Sequence, residues 1–184
     1  MGKYLQAPLK DFAPSFEALT LKDFLDHFDC PFILVEKFEE ENSKGFRTVM
    51  PEDTENRNGD PLPHERERDT GCETVVTLVK SGRNAFKNMI SLGRSVNNDI
   101  VITHPVVSKL HAYFRYDPEY GTFTITDTGS TNGTFLKSIP LPINEPVPLN
   151  NGDVLVIGGI LRATFLTAEY LYKYMEALRR LGKV

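Results

Sequence analysis

A chain of 184 residues with a formal net charge of −4 is long enough to bury a core of its own, in one domain with an appendage. The acidic balance argues against a general nucleic-acid binder, which needs a basic face. No apolar run approaches the ~18 residues of a membrane helix, the N-terminus MGKYLQAPLKDF has no apolar signal region, and Gln6 stands where a myristoylation motif needs Ser or Thr. Cys30 and Cys72 are far apart and unpatterned, and each reads as a buried free thiol. The chain is therefore expected to be soluble and cytoplasmic, with neither nucleic acid nor membrane as partner.

The first clear element begins at Thr20. Leu21, Phe24, Leu25 and Phe28 recur at the spacing of one helix face, and Thr20 with Asp23 has the spacing of a capping box, with Asp in place of Glu. Pro31 ends that pattern, and the apolar run Phe32-Ile33-Leu34-Val35 is expected as a strand. Residues 1–38 are set apart here as an N-terminal accessory segment. Residues 39–72 are rich in Glu, Asp, Asn, Gly and Pro and nearly devoid of aliphatic side chains. Such a stretch buries too little surface to fold alone and is expected to be a mobile acidic linker or loop.

From Glu73 onward the texture is β. TVVTLVK, MISLGR and DIVIT each read as strands. LHAYFRY and TFTIT flank the turn DPEYG as a hairpin, and VLVIGG and ILRATFL follow the turn signal NNGD. Many short strands without alternating helices predict an all-β sandwich over residues 73–166 and exclude a parallel α/β sheet. Residues 167–184 close the chain as a helix from about Thr167 to Leu181. Leu171, Met175, Leu178 and Leu181 line one face, and Arg179, Arg180 and Lys183 sit at the negative end of its dipole. That apolar stripe serves for packing or for self-association.

The stretch DTGSTNGTF, Asp127 to Phe135, carries two opposed readings. D-T-G-S is the active-site tetrapeptide of an aspartic protease, in which two carboxylates share a proton. A retroviral-type enzyme would dimerise for its second Asp, and Val156-Ile157-Gly158 matches the later motif of such enzymes. Two features oppose this alternative. Phe123 to Asp127 alternates as a half-solvated strand does, and Asn132-Gly133 turns the chain back.

The second reading starts from the right-hand end. Arg94 follows Gly93 at the end of one strand, Ser108 and Lys109 open another, and Thr131 and Asn132 occupy the turn after TFTITD. Loops at one end of a sandwich converge although their strands are distant in sequence. Arg offers a planar fork to phosphate oxygens, Lys a point charge, Ser and Thr hydroxyl donors, and Asn a grip on peptide backbone. None of these groups is a nucleophile beside a base, so no bond-breaking chemistry is expected. His27, His64 and His104 are scattered without metal-ligand spacing; no metal and no cofactor is expected.

Gly93-Arg94-Ser95, Asn98-Asp99-Ile100, Ser108-Lys109-Leu110-His111-Ala112, Asp127-x-Gly129-Ser130-Thr131-Asn132-Gly133-Thr134 and Asn151-Gly152-Asp153 together resemble the forkhead-associated (FHA) domain, in order and at ordinary spacing. The resemblance covers roughly residues 73 to 166. It implies a sandwich of about eleven strands and a non-catalytic module whose loops bind phosphothreonine peptides. Arg94, Ser108, Lys109, Thr131 and Asn132 would meet the phosphopeptide. Gly93, His111 and Gly133 would frame the binding loops, and Asp127 would brace a loop or lie exposed. The implied partner is a phosphothreonine protein produced by a Ser/Thr kinase. A phospho-independent structural adaptor on the same fold is the alternative.

Overall fold

The computed structural model describes residues 5–36 and 73–183. The polar stretch at 39–72, including Cys72, lies outside the described residues. Two sheets face each other. The seven-stranded sheet has the order β1-β3-β2-β12-β11-β8-β9, from β1 (Gln6–Pro8), β3 (Thr74–Thr77), β2 (Phe32–Val35), β12 (Leu161–Leu166), β11 (Val154–Ile157), β8 (Thr134–Leu136) and β9 (Ile139–Pro140). The five-stranded sheet has the order β10-β7-β6-β4-β5, from β10 (Val147–Pro148), β7 (Thr122–Asp127), β6 (Ala112–Asp117), β4 (Ile90–Gly93) and β5 (Ile100–Val101). All pairings between these strands are antiparallel except β4 with β5, which is parallel. The core between the sheets holds Ile33, Val76, Leu92, Ile100, Phe114, Ile125, Leu155, Ile157, Ala163 and Phe165. Their alternation with outward residues is the period of two that a pleated strand imposes.

Strand β2 was expected as part of a separate N-terminal segment. It lies inside the main sheet, paired to β3 (Val35 with Thr74) and to β12 (Val35 with Ala163). Its unbroken run FILV has a physical cause. Ile33 faces the sandwich core, whereas Phe32 and Leu34 face a second core on the outer side of the sheet. A strand buried on both faces has no polar side to show.

That second core is built from both ends of the chain. Helix α1 (Leu9–Phe12), a 3-10 turn (Ala13–Phe16), α2 (Leu21–His27) and α3 (Ala168–Arg180) cover the sheet. Thr20 caps α2: its hydroxyl accepts the Asp23 N–H at 3.2 Å, and the Asp23 carboxylate accepts the Thr20 N–H at 3.3 Å. Phe12, Phe24, Phe28 and Phe32 pack edge-on or tilted except Phe24 and Phe32, which stack, and Tyr172 of α3 lies 5.5 Å from the Phe24 ring. Leu171, Met175 and Leu178 are buried in this contact. The stripe that self-association would use is therefore engaged within the chain, leaving Leu181 exposed. Cys30 is buried and free, and burial, with Asp29 adding, pushes its thiol pKa up to about 11.

Candidate functional site

The strand directions bring four connections to one end of the sandwich. Leu92 of β4 pairs with Ala112 of β6, and Ala112 pairs with Asp127 of β7. The segments 94–99, 102–111 and 128–133 therefore leave from that end. The turn at 158–160 joins them, because the Gly158 N–H donates to the Gly133 carbonyl at 2.9 Å. The β6–β7 hairpin turn lies at the opposite end.

Hydrogen bonds lock the first two segments together. The Arg94 N–H donates to the Ser108 carbonyl at 3.0 Å, and the Ser95 N–H to the Lys109 carbonyl at 3.2 Å. The Asn98 amide donates to the Ser95 and Lys109 carbonyls at 2.9 and 2.6 Å. Gly93 permits this approach: a Cβ there would stand 2.3 Å from the Lys109 carbonyl oxygen and 2.8 Å from Asn98 Nδ2. Arg94 and Lys109 are exposed, and among the described residues neither forms an ion pair.

The third segment closes on the second. The Thr131 N–H donates to Ser108 Oγ at 3.0 Å, and the two hydroxyls lie 3.3 Å apart. The Asn132 amide donates to the Val106 carbonyl at 2.9 Å, and the residue is exposed. His111 is fully buried and joins both segments: Nδ1 accepts the Ser108 N–H at 3.0 Å, and Nε2 lies 3.2 Å from the Gly133 carbonyl. The Nδ1 contact requires the neutral ring with its proton on Nε2. Burial lowers the His111 pKa and outweighs the Gly133 carbonyl and the Asp127 charge, which act to raise it. Gly133 takes a φ of 73°, a left-handed conformation open to glycine at no steric cost.

Asp127 is 2% exposed. Its Oδ1 accepts the Gly129 and Ser130 N–H groups at 2.9 and 2.8 Å, and its Oδ2 accepts the Ser130 and Thr134 hydroxyls at 2.7 and 2.6 Å. Burial acts to raise its pKa, but these bonds and His111 outweigh it and hold the carboxyl below its usual range. The protease alternative is corrected here. Both carboxylate oxygens accept hydrogen bonds from the loop itself, and the lowered pKa opposes the proton sharing that a catalytic dyad needs.

Sequence reasoning placed Asp99 in the family pattern but gave this buried carboxylate no role. Asp99 is fully buried and accepts bonds from Lys80 Nζ, the Ser81 N–H and hydroxyl, Asn84 and the Ser91 N–H. Burial acts to raise its pKa, yet the bonds from Lys80, Asn84, Ser91 and Ser81 together hold it well below the ordinary carboxylate range. It ties the β3–β4 connection to the base of the Arg94 segment. Among the described residues no group of His, Cys, Asp and Glu is placed to hold a metal ion, and no helix is long and apolar enough to cross a membrane.

A two-sheet sandwich with cations, hydroxyls and amides gathered on hydrogen-bonded loops at one end defines a loop-based binding module. The FHA domain family model matches residues 90–158, a span that includes the segments 94–99, 102–111 and 128–133. The chain is 36% identical over 100 residues to the glycogen accumulation regulator GarA of Mycolicibacterium smegmatis, covering 51% of this chain and 60% of that protein. It is 34% identical over 91 residues to the oxoglutarate dehydrogenase inhibitor of Corynebacterium efficiens, covering 46% of this chain and 61% of the relative. The alignments thus span about three-fifths of the relatives' own length. Among solved structures, the MEK1 FHA domain superposes with a TM-score of 0.45 at 20% identity, covering 79% of this chain and 97% of that one.

Proposed function

We propose that this chain is a non-catalytic adaptor that binds phosphothreonine-containing peptides or proteins, the products of a Ser/Thr kinase, through Arg94, Ser108, Lys109, Thr131 and Asn132. One observation carries the reading. The Ser108 hydroxyl accepts the Thr131 N–H while the Ser108 carbonyl accepts the Arg94 N–H, so the backbone segments that carry the guanidinium, the ammonium, the two hydroxyls and the amide are bonded to one another. A phosphate dianion satisfies such a set without further charge from the protein. Asn132, anchored through its nitrogen, offers its oxygen to a ligand backbone N–H. Gly93, His111 and Gly133 frame the loops. Self-association through α3 is not part of the proposal, because its apolar stripe is covered by α2.

The test is binding of a degenerate phosphothreonine peptide library and its unphosphorylated twin, followed by calorimetry on a selected ligand. The phosphorylated form alone is expected to bind. Arg94→Ala is expected to weaken it at least about tenfold, because one or two charge-assisted bonds of roughly 1.5–3 kcal/mol each are lost, with the fold intact. Equal binding of both peptide forms would replace this reading by the phospho-independent adaptor.

A further inference from the structure

The turn that carries Arg94 is held from two sides. Asn97 and Asn98 are consecutive, yet they are tied to different neighbours. The Asn98 amide donates to the Lys109 carbonyl at 2.6 Å, which fixes the turn to the Ser108 segment. The Asn97 carbonyl accepts the Asn84 side-chain amide at 3.1 Å, which fixes the turn to the β3–β4 connection. The first clamp belongs to the loops that face the phosphate. The second comes from a residue outside every motif that marks the site.

Asn84 is oriented by its own partners. Its oxygen accepts Lys80 Nζ at 2.8 Å and the Phe86 N–H at 3.1 Å. With two donors on the oxygen, the nitrogen faces acceptors. Besides the Asn97 carbonyl it reaches Ser91 Oγ and Asp99 Oδ2, both at 3.0 Å. Lys80 is committed in turn: its ammonium meets the Asn84 oxygen, the Met89 carbonyl and Asp99, one acceptor for each proton. Asn84 is half-buried, and both ends of its amide are engaged within the fold.

Arg94 differs. It is exposed, and among the described residues its guanidinium has no hydrogen-bond or ion-pair partner. The backbone of its turn therefore sets where it stands. Bonds from N–H to oxygen tolerate only about 0.5 Å in length, so a small shift of that turn costs a forked grip on phosphate.

We propose that Asn84 is a positioning residue of the phosphopeptide site. It acts through the Asn97 carbonyl to hold the Arg94 guanidinium in place for a phosphate, and Lys80 holds the Asn84 amide in the required orientation. The inference rests on the phosphopeptide reading and adds to it a residue that touches no ligand.

The test is a double-mutant cycle on a selected phosphothreonine peptide, read by NMR titration. Lys80 is the wrong place to cut, because its loss strips the buried Asp99 of its ion-pair partner. Asn84→Ser keeps a hydroxyl for the Phe86 N–H, and with it the local turn, but is too short to reach the Asn97 carbonyl. Asp99 retains Lys80, Ser81 and Ser91, so the fold is expected to stand. Asn84→Ser is expected to weaken phosphopeptide binding about fivefold, the worth of one neutral hydrogen bond. In an Arg94→Ala background the same substitution is expected to change affinity less than about twofold, because the contact it positions is already gone. In an Asn132→Ala background the roughly fivefold loss is expected to persist. A general loosening of the fold would act alike in both backgrounds. Wild-type affinity in Asn84→Ser, or a loss of equal size with and without Arg94, overturns the inference and spares the phosphopeptide reading. An Asn84→Ser chain that does not fold overturns it as well, because the residue is then structural. Failure of the wild type to bind any phosphothreonine peptide overturns the phosphopeptide reading and this inference with it.

Discussion

Replacing Asp127 tests whether the loop carrying Thr131 and Asn132 is held by a buried carboxylate. Four donors converge on it at 2.6 to 2.9 Å. In Asp127→Ala the two hydroxyls can rotate to other acceptors, but the Gly129 and Ser130 N–H groups cannot. Two stranded amides at ~1–3 kcal/mol each, with partial relief from water, give a loss of about 3 kcal/mol. For a chain of this size that lowers Tm by about 6–12 °C. Asp127→Asn keeps an oxygen for the two amides and is expected to cost about half as much. The carboxyl pKa is depressed in the fold, so the contribution of Asp127 is fully present above its unfolded value of ~3.9 and is lost as pH falls through the lower folded value. The wild-type advantage over Asp127→Asn should therefore shrink below about pH 4. Thermal unfolding from pH 3 to 7 and hydrogen exchange at Gly129 and Ser130 read this directly. An Asp127→Ala protein with unchanged Tm and unchanged protection of those two amides would refute the bracing argument.

Three further outcomes follow from single contacts. Gly93→Ala drives a Cβ into the Lys109 carbonyl, and is expected to weaken phosphopeptide binding at least about tenfold by parting the Arg94 and Ser108 segments; calorimetry checks it. His111 has a depressed pKa and accepts the Ser108 N–H, so the unfolded chain takes up its proton first, and stability and phosphopeptide affinity are expected to fall together as pH drops below ~6.5. A pH titration of both quantities decides, and a flat profile from pH 7 to 5 would count against it. Phe24→Ala opens a cavity between α2, α3 and the outer face of the sheet, and is expected to cost about 3–5 kcal/mol in denaturant unfolding, with the phosphate site unaffected once folded.

The strands that carry the core were legible in the sequence, because alternation of Ala112, Phe114, Phe123 and Ile125 with polar neighbours is a local imprint of one buried face. So was the α2 cap, whose partners Thr20 and Asp23 are three residues apart. Elements β1, β9 and β10, of two or three residues, are too short to show any period and exist only because a neighbour pairs with them. The candidate residues stand in local patterns, since a Gly-Arg turn, a Ser-Lys strand start and a Thr-Asn-Gly turn are each written in consecutive residues. Their convergence was expected only from the rule that loops at one end of a sandwich meet; which loops share an end depends on strand directions.

The sequence by itself determined the repertoire: which segments are strands, which end in turns, and which side chains suit a phosphate. Tertiary structure decided three things that no local pattern encodes. It inserted Phe32–Val35 between β3 and β12, so the segment expected as an accessory completes the sheet. It joined the two chain ends in a second aromatic core that consumes the apolar stripe of α3. It also set Lys80 against Asp99, 19 residues apart, and the β3–β4 connection beside the Arg94 segment. Each is a pairing between distant residues, whose energy is realised only once the loops between them have closed.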